Sequence, residues 1–165
     1  MFETSSPQPA FDGIDVDLAD LEDPIASVVA VELSRRVVRR GLSWAEPMVT
    51  DLAAQETLLR QAGGIELVKR IYAQRFYRRV DAEVFQLMRR CVPLAYADFV
   101  LSRVEAVLRA HFADIVGTAA SHLLSHDRDT AIQMTAVAAT MAGREVHSEV
   151  MEIIARMRLI EDDVQ

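Results

Sequence analysis

Two of the four histidines, His122 and His126, stand four residues apart, a spacing that puts both imidazoles on one face of a helix. Asp127 and Asp129 follow at once. Such a pair can fill two positions of a metal site, and a third ligand would come from His147 or Glu149 if the segments carrying them are antiparallel neighbours. Near a helix end the same residues serve as favourable partners of the last carbonyls. The ligand set is incomplete in sequence, so no metal is expected. A bundle-type di-metal centre needs Glu three residues before His. Leu108, Ala119, Leu123 and Arg144 occupy those positions, which excludes it. There is no Gly-x-Ser-x-Gly, and Gly63-Gly64 lacks the lysine and the strand of a phosphate loop. With no catalytic set in view, an enzyme is the least favoured class.

Charge is the next chemical signal. The chain of 165 residues carries a formal net charge of −7, distributed unevenly. Residues 1–23 hold seven acidic side chains and no basic one, whereas residues 33–90 hold 12 basic against six acidic. Arg70, Arg75 and Arg78 lie in the most basic stretch and would be the contacts if the middle of the chain met nucleic acid as a helix-turn-helix. That stretch also holds Ile65, Leu67, Val68, Ile71, Phe76 and Tyr77, which require a core. With a pI near 5.1, nucleic acid is not the expected partner. Between Phe11 and Ile25 acids alternate with apolar residues. Phe11, Ile14, Leu18 and Leu21 are candidate anchors of a linear motif that orders on a basic, apolar groove. The plainer expectation is a disordered, solvated acidic tail over 1–23.

The elements that must position these residues are helical. Aromatics are only 6% of a chain that is 51% hydrophobic, so the core is built from Leu, Val, Ile, Ala and Met. No strand alternation is sustained. The stretch Asp129 to Ile160, about thirty residues without a proline, predicts a central C-terminal helix. Val146, Val150, Ile153, Met157 and Ile160 recur at spacings of 4, 3, 4 and 3, the pattern of a helix seam. Upstream, helices are expected over 24–40, closed by Gly41; over 43–61, opened by the Ser43-x-x-Glu46 capping box; over 65–80; over 82–90, capped by Asp81; and from 94 towards 117 or 125. Pro93 should break the chain near Cys91. Trp44 is either a core anchor or a partner contact. The predicted architecture is an all-α bundle of about five to six helices in one domain over 24–160, with a frayed acidic end at 161–165.

Gly63-Gly64-Ile65 followed by Phe76-Tyr77-Arg78-Arg79-Val80 is similar to the opening of truncated haemoglobins, where a glycine pair leads into a helix ending in Phe-Tyr. The resemblance covers about 18 residues. It implies haem as a cofactor, with His111 or His122 as its ligand. Beyond that segment the distance to any histidine departs from the family, and the second glycine motif is missing.

These readings favour a non-enzymatic interaction or assembly protein. The seam Val146, Val150, Ile153 and Met157 would meet a second copy or a partner subunit, and the acidic tail would reach across a neighbour. The alternative is a ligand- or cofactor-binding sensor, haem-binding or touching nucleic acid through its basic middle. One cysteine, no secretory leader pattern and no stretch apt to span a bilayer make a cytoplasmic location the expectation.

Overall fold

The structure, a computed structural model, describes the chain from Pro24 to Val164 and its side chains from Ala26 to Met157. Helix α1 (Pro24–Ala53) takes in the first expected helix and most of the second without a break. Gly41 does not close it. A Cβ on Gly41 would overlap the Cβ of Ala139 on α5 (Arg128–Val164), so the glycine serves close helix approach rather than a cap. Ser43, expected to cap a new helix, instead donates its hydroxyl back to the Arg40 carbonyl at 3.2 Å. Pro47 lies inside α1, where it leaves the Ser43 carbonyl without its usual helical donor.

A short helix, α2 (Glu56–Arg60), turns the chain towards α3 (Gly64–Cys91). The glycine pair between them answers two separate demands. Gly63 has φ 77°, the left-handed region. A Cβ on Gly64 would collide with the Leu58 carbonyl. Helix α3 passes straight through Asp81, because Val80 and Val84 are both buried and the apolar period runs on across it. It likewise continues beyond Phe76 and Tyr77, where the resemblance to truncated haemoglobins implied a helix end.

Pro93 does break the chain, and a 3-10 turn over Leu94–Tyr96 leads into α4 (Ala97–Ser125). That helix is uninterrupted at Gly117, over which the Lys69 methylenes lie. Asp127 opens α5 by accepting the Thr130 N–H at 2.7 Å, a bond that holds its carboxyl below the usual range. Helix α5 runs to Val164, so residues 161–164, expected as a frayed end, belong to it. The acidic segment 1–23, with Phe11, Ile14, Leu18 and Leu21, lies outside the described residues.

Cross-helix contacts give an up-down-up-down bundle. Gly41 meets Ala139, and Gly143 meets Val38 and Ser34, so α1 and α5 are antiparallel. His111 meets Glu145 and Glu149 between α4 and α5, and Arg109 lies over Tyr77 between α4 and α3. Trp44 on Phe76, together with Arg40 on Glu83, sets α1 against α3. Contact is broad around three sides of the bundle and sparse on the α1–α3 side. Among the described residues no strand is present, and no helix is long and apolar enough to cross a membrane.

The seam of α5 is internal. Val146, Val150 and Met157 are 0% exposed and Ile153 is 7%, all within a core shared with Leu33, Leu52, Leu108, Phe112 and Ile115. The expectation that the first four present themselves to a partner is therefore corrected. An apolar stripe at this spacing is satisfied equally by a neighbouring helix of the same chain, and here α1 and α4 take it. Ile160 lies outside the described side chains. The small residues Ala139 and Gly143 mark the closest helix approach, as their size suggests. Two buried hydroxyls in the core are satisfied locally, Ser34 by the Val31 carbonyl at 2.9 Å and Thr135 by the Ala131 carbonyl at 2.6 Å.

Candidate functional site

On the sparse α1–α3 side the two helices leave an open groove of about 380 Å3. Helix α1 supplies Trp44, Pro47, Met48 and Asp51, and α3 supplies Tyr72, Arg75, Phe76 and Arg79. The spacing explains the assembly. Trp44 and Met48 share one face of α1. Tyr72 and Phe76 form an i,i+4 aromatic pair on α3, with Arg75 and Arg79 as a second i,i+4 pair beside it.

Aromatic packing holds the floor. The Trp44 and Phe76 rings stack at 4.3 Å between centroids. Phe76 in turn meets Phe112 edge-on at 5.8 Å and Tyr72 at 6.2 Å, which fixes it to the core. Trp44 itself is only half-buried. Two guanidinium groups approach its ring, that of Arg40 at 5.5 Å and that of Arg79 at 5.8 Å from the centroid. Arg75 lies 4.7 Å from the Tyr72 centroid.

Polar contacts close both ends. At one end Arg36 and Arg40 of α1 both bind Glu83 of α3. At the other the Tyr72 hydroxyl donates to Asp51 and accepts from Gln55 Nε2 at 3.0 Å. Burial first, and the bond to Asp51 second, hold the Tyr72 hydroxyl above its ordinary pKa, so it stays neutral and remains a donor. Arg75 reaches Asp51 only at 3.9 Å, an exposed pairing of small value. Arg79 has no carboxylate partner among the described residues and is exposed. The groove thus offers an aromatic floor, a basic rim and uncommitted positive charge. That combination is chemically suited to an anionic group joined to an apolar one.

The residues singled out from sequence are dispersed. Arg70, Arg75 and Arg78 are all exposed on α3, yet they do not share a site. Arg75 lines this groove, whereas Arg70 lines another, towards α4, with Lys69 and Arg109. His122 and His126 stack obliquely at 5.3 Å between ring centroids near the end of α4. In the α4–α5 register fixed by His111, His122 faces a part of α5 about three turns before His147. No group of three His, Cys, Asp or Glu able to hold a metal occurs among the described residues.

His111, a candidate haem ligand, is buried with both ring nitrogens facing carboxylates: Nε2 at 2.8 Å from Glu149 and Nδ1 at 3.5 Å from Glu145. Neither nitrogen is turned to an open space that could take iron, and His122 Nδ1 is enclosed without a partner. His111 so engaged does not fit haem. The close His111–Glu149 bond holds α4 to α5. We expect Glu149→Ala to strand a buried imidazole and cost about 1–3 kcal/mol. Glu145→Ala, at longer range and 60% exposed, should cost about 0.5 kcal/mol or less. Thermal denaturation of the two variants side by side checks the difference.

Compared with models of known protein families, with curated proteins and with solved structures, the chain matches none. The groove was not legible as a unit from sequence, because it joins Trp44 to Phe76 across two helices. The signal that could have found it is the interleaving of Tyr72/Phe76 with Arg75/Arg79, beside the Arg40/Trp44 pair on α1.

Proposed function

We propose that this protein is a non-enzymatic helical interaction protein, and that its α1–α3 groove receives an acidic, apolar-anchored segment of a protein partner. The observation that supports this reading most is Trp44. It is a half-buried indole stacked on Phe76, at the bottom of an open groove, between two arginines. Trp, Tyr and Arg are the residue types that dominate binding energy at protein interfaces, and a cleft that is apolar below and basic at the rim selects acidic amphipathic peptides. Around it, Asp51 and Tyr72 are engaged with each other, and the arginines supply charge but no general base.

The test is a fluorescence titration with a short labelled peptide in which aspartates alternate with leucine and phenylalanine. Saturable binding is expected. It should weaken at least about tenfold in Arg79→Glu and in Trp44→Ala, the size of effect typical of a groove-centre residue. It should also weaken when salt rises from about 0.1 M to about 1 M, which shortens the screening length from ~10 Å to ~3 Å. Arg79 is exposed, and circular dichroism of Arg79→Glu should match the parent, so its result stands even if Trp44→Ala loosens the bundle. Binding that ignores both substitutions would overturn the reading.

The arginine face could instead serve nucleic acid. Arg70 and Arg75 would then act together, and a single-stranded oligonucleotide would bind with a steeper salt dependence than the peptide. The division of these two arginines between separate grooves favours the peptide.

A further inference from the structure

We propose that the acidic segment Phe11–Glu22 of this same chain is a ligand of the α1–α3 groove, covering it intramolecularly until a partner displaces it. The inference rests on the reading of the groove as a site for acidic, apolar-anchored peptides.

Composition is the first argument. Ile14-Asp15-Val16-Asp17-Leu18 alternates apolar and acidic residues, Phe11 precedes it, and residues 1–23 carry no basic side chain. In an extended peptide, alternate side chains point to opposite sides, so Ile14, Val16 and Leu18 would share one. Phe11 and Ile14 would lie over the aromatic rings of the groove, with Asp12 beside Arg75 and Arg79 at its edge, while Val16 and Leu18 would lie along α1 before it.

Reach is the second. Trp44 stands 20 residues along α1 from Pro24, which is about 30 Å at helical rise. The 13 residues from Phe11 to Pro24 cover only about 20 Å as a helix but up to about 43 Å extended. An extended chain turning back at Pro24 therefore places Phe11 at Trp44, and a helical one does not.

The path is the third. Along α1 from Pro24 to Trp44 lie Arg35, Arg36, Arg39 and Arg40 on successive turns. Arg39 is exposed and has no carboxylate partner among the described residues. Arg35 and Arg36 face Glu32, and Arg36 and Arg40 bind Glu83, so Arg39 is the uncommitted charge on the way to the basic rim. A ligand tethered this way acts at an effective concentration in the millimolar range, enough to fill a groove of modest affinity.

Trp44 is the only tryptophan of the chain, so intrinsic emission reports the groove directly. The experiment compares the full chain with its Phe11→Ser/Ile14→Ser variant, by Trp44 emission and by titration with the labelled aspartate-leucine-phenylalanine peptide. The variant should emit further to the red and bind the peptide about tenfold more tightly, because a groove nine-tenths occupied in the parent weakens apparent affinity by that factor. The parent's emission should not change on dilution. Equal affinity and equal emission in the two proteins would overturn this inference while leaving the groove a peptide site. Failure of both to bind would overturn the inference and the underlying reading together. A dilution-dependent emission would overturn the intramolecular arrangement.

Discussion

Val150→Asp should abolish the folded bundle. Val150 is 0% exposed at the middle of α5, flanked along the same stripe by Val146, Ile153 and Met157. The substitution removes an apolar side chain worth about 1.5–3 kcal/mol on burial and sets a carboxylate in a position closed to solvent. The carboxyl would protonate or the helix would leave its place, and either response costs several kcal/mol. Against a total stability of about 5–15 kcal/mol for a domain of this size, that is decisive. Far-ultraviolet circular dichroism and a urea titration check it. The expected result is a chain with little cooperative transition. A soluble, cooperatively folding monomer would mean that the stripe faces outward in solution and is an interface after all.

The second large effect concerns the α1–α5 crossing. Gly41→Ala should destabilise the protein by about 1–3 kcal/mol, the usual range for forcing an extra carbon into a filled contact. This runs against the intrinsic gain of about 1 kcal/mol that alanine brings to a helix interior. The new methyl meets the Cβ of Ala139, which has no rotamer to change, so only the helices can move. Pairing it with Ala139→Gly restores the room. The double variant should recover most of the lost stability, and the coupling in a double-mutant cycle should exceed about 0.5 kcal/mol. Chemical denaturation of the four proteins measures it. Purely additive effects would show that the two positions do not touch.

The same two positions show how far sequence reading carries. The all-α bundle, the single long C-terminal helix and the break at Pro93 follow from period and composition, because those signals are local. Gly41 and Asp81 misled for one reason. A glycine or an aspartate weakens a helix by about a kilocalorie at most, and the tertiary contacts of Ala139 on Gly41, and of buried Val80 and Val84 around Asp81, outweigh that preference. The seam at Val146–Met157 is legible in the sequence as apolar but not as internal, since the period of a helix does not reveal which neighbour buries it. Gly63-Gly64 is legible as a break, but the separate duties of the two glycines, a left-handed φ at Gly63 and close passage of Gly64 by the Leu58 carbonyl, depend on the exact path of the turn. The groove is the least legible part. Trp44 reads from sequence as either a core anchor or a contact, and the structure has it half-buried, stacked on buried Phe76 and lining the groove.

The central claim is that this groove binds acidic, apolar-anchored peptide. The most direct measurement is the affinity of the labelled aspartate-leucine-phenylalanine peptide for the full chain and for Arg79→Glu, followed through Trp44 emission. Saturable binding is expected that perturbs Trp44 and falls at least about tenfold when the rim charge is reversed. Binding that leaves Trp44 emission unaltered, or survives Arg79→Glu at full strength, would contradict it.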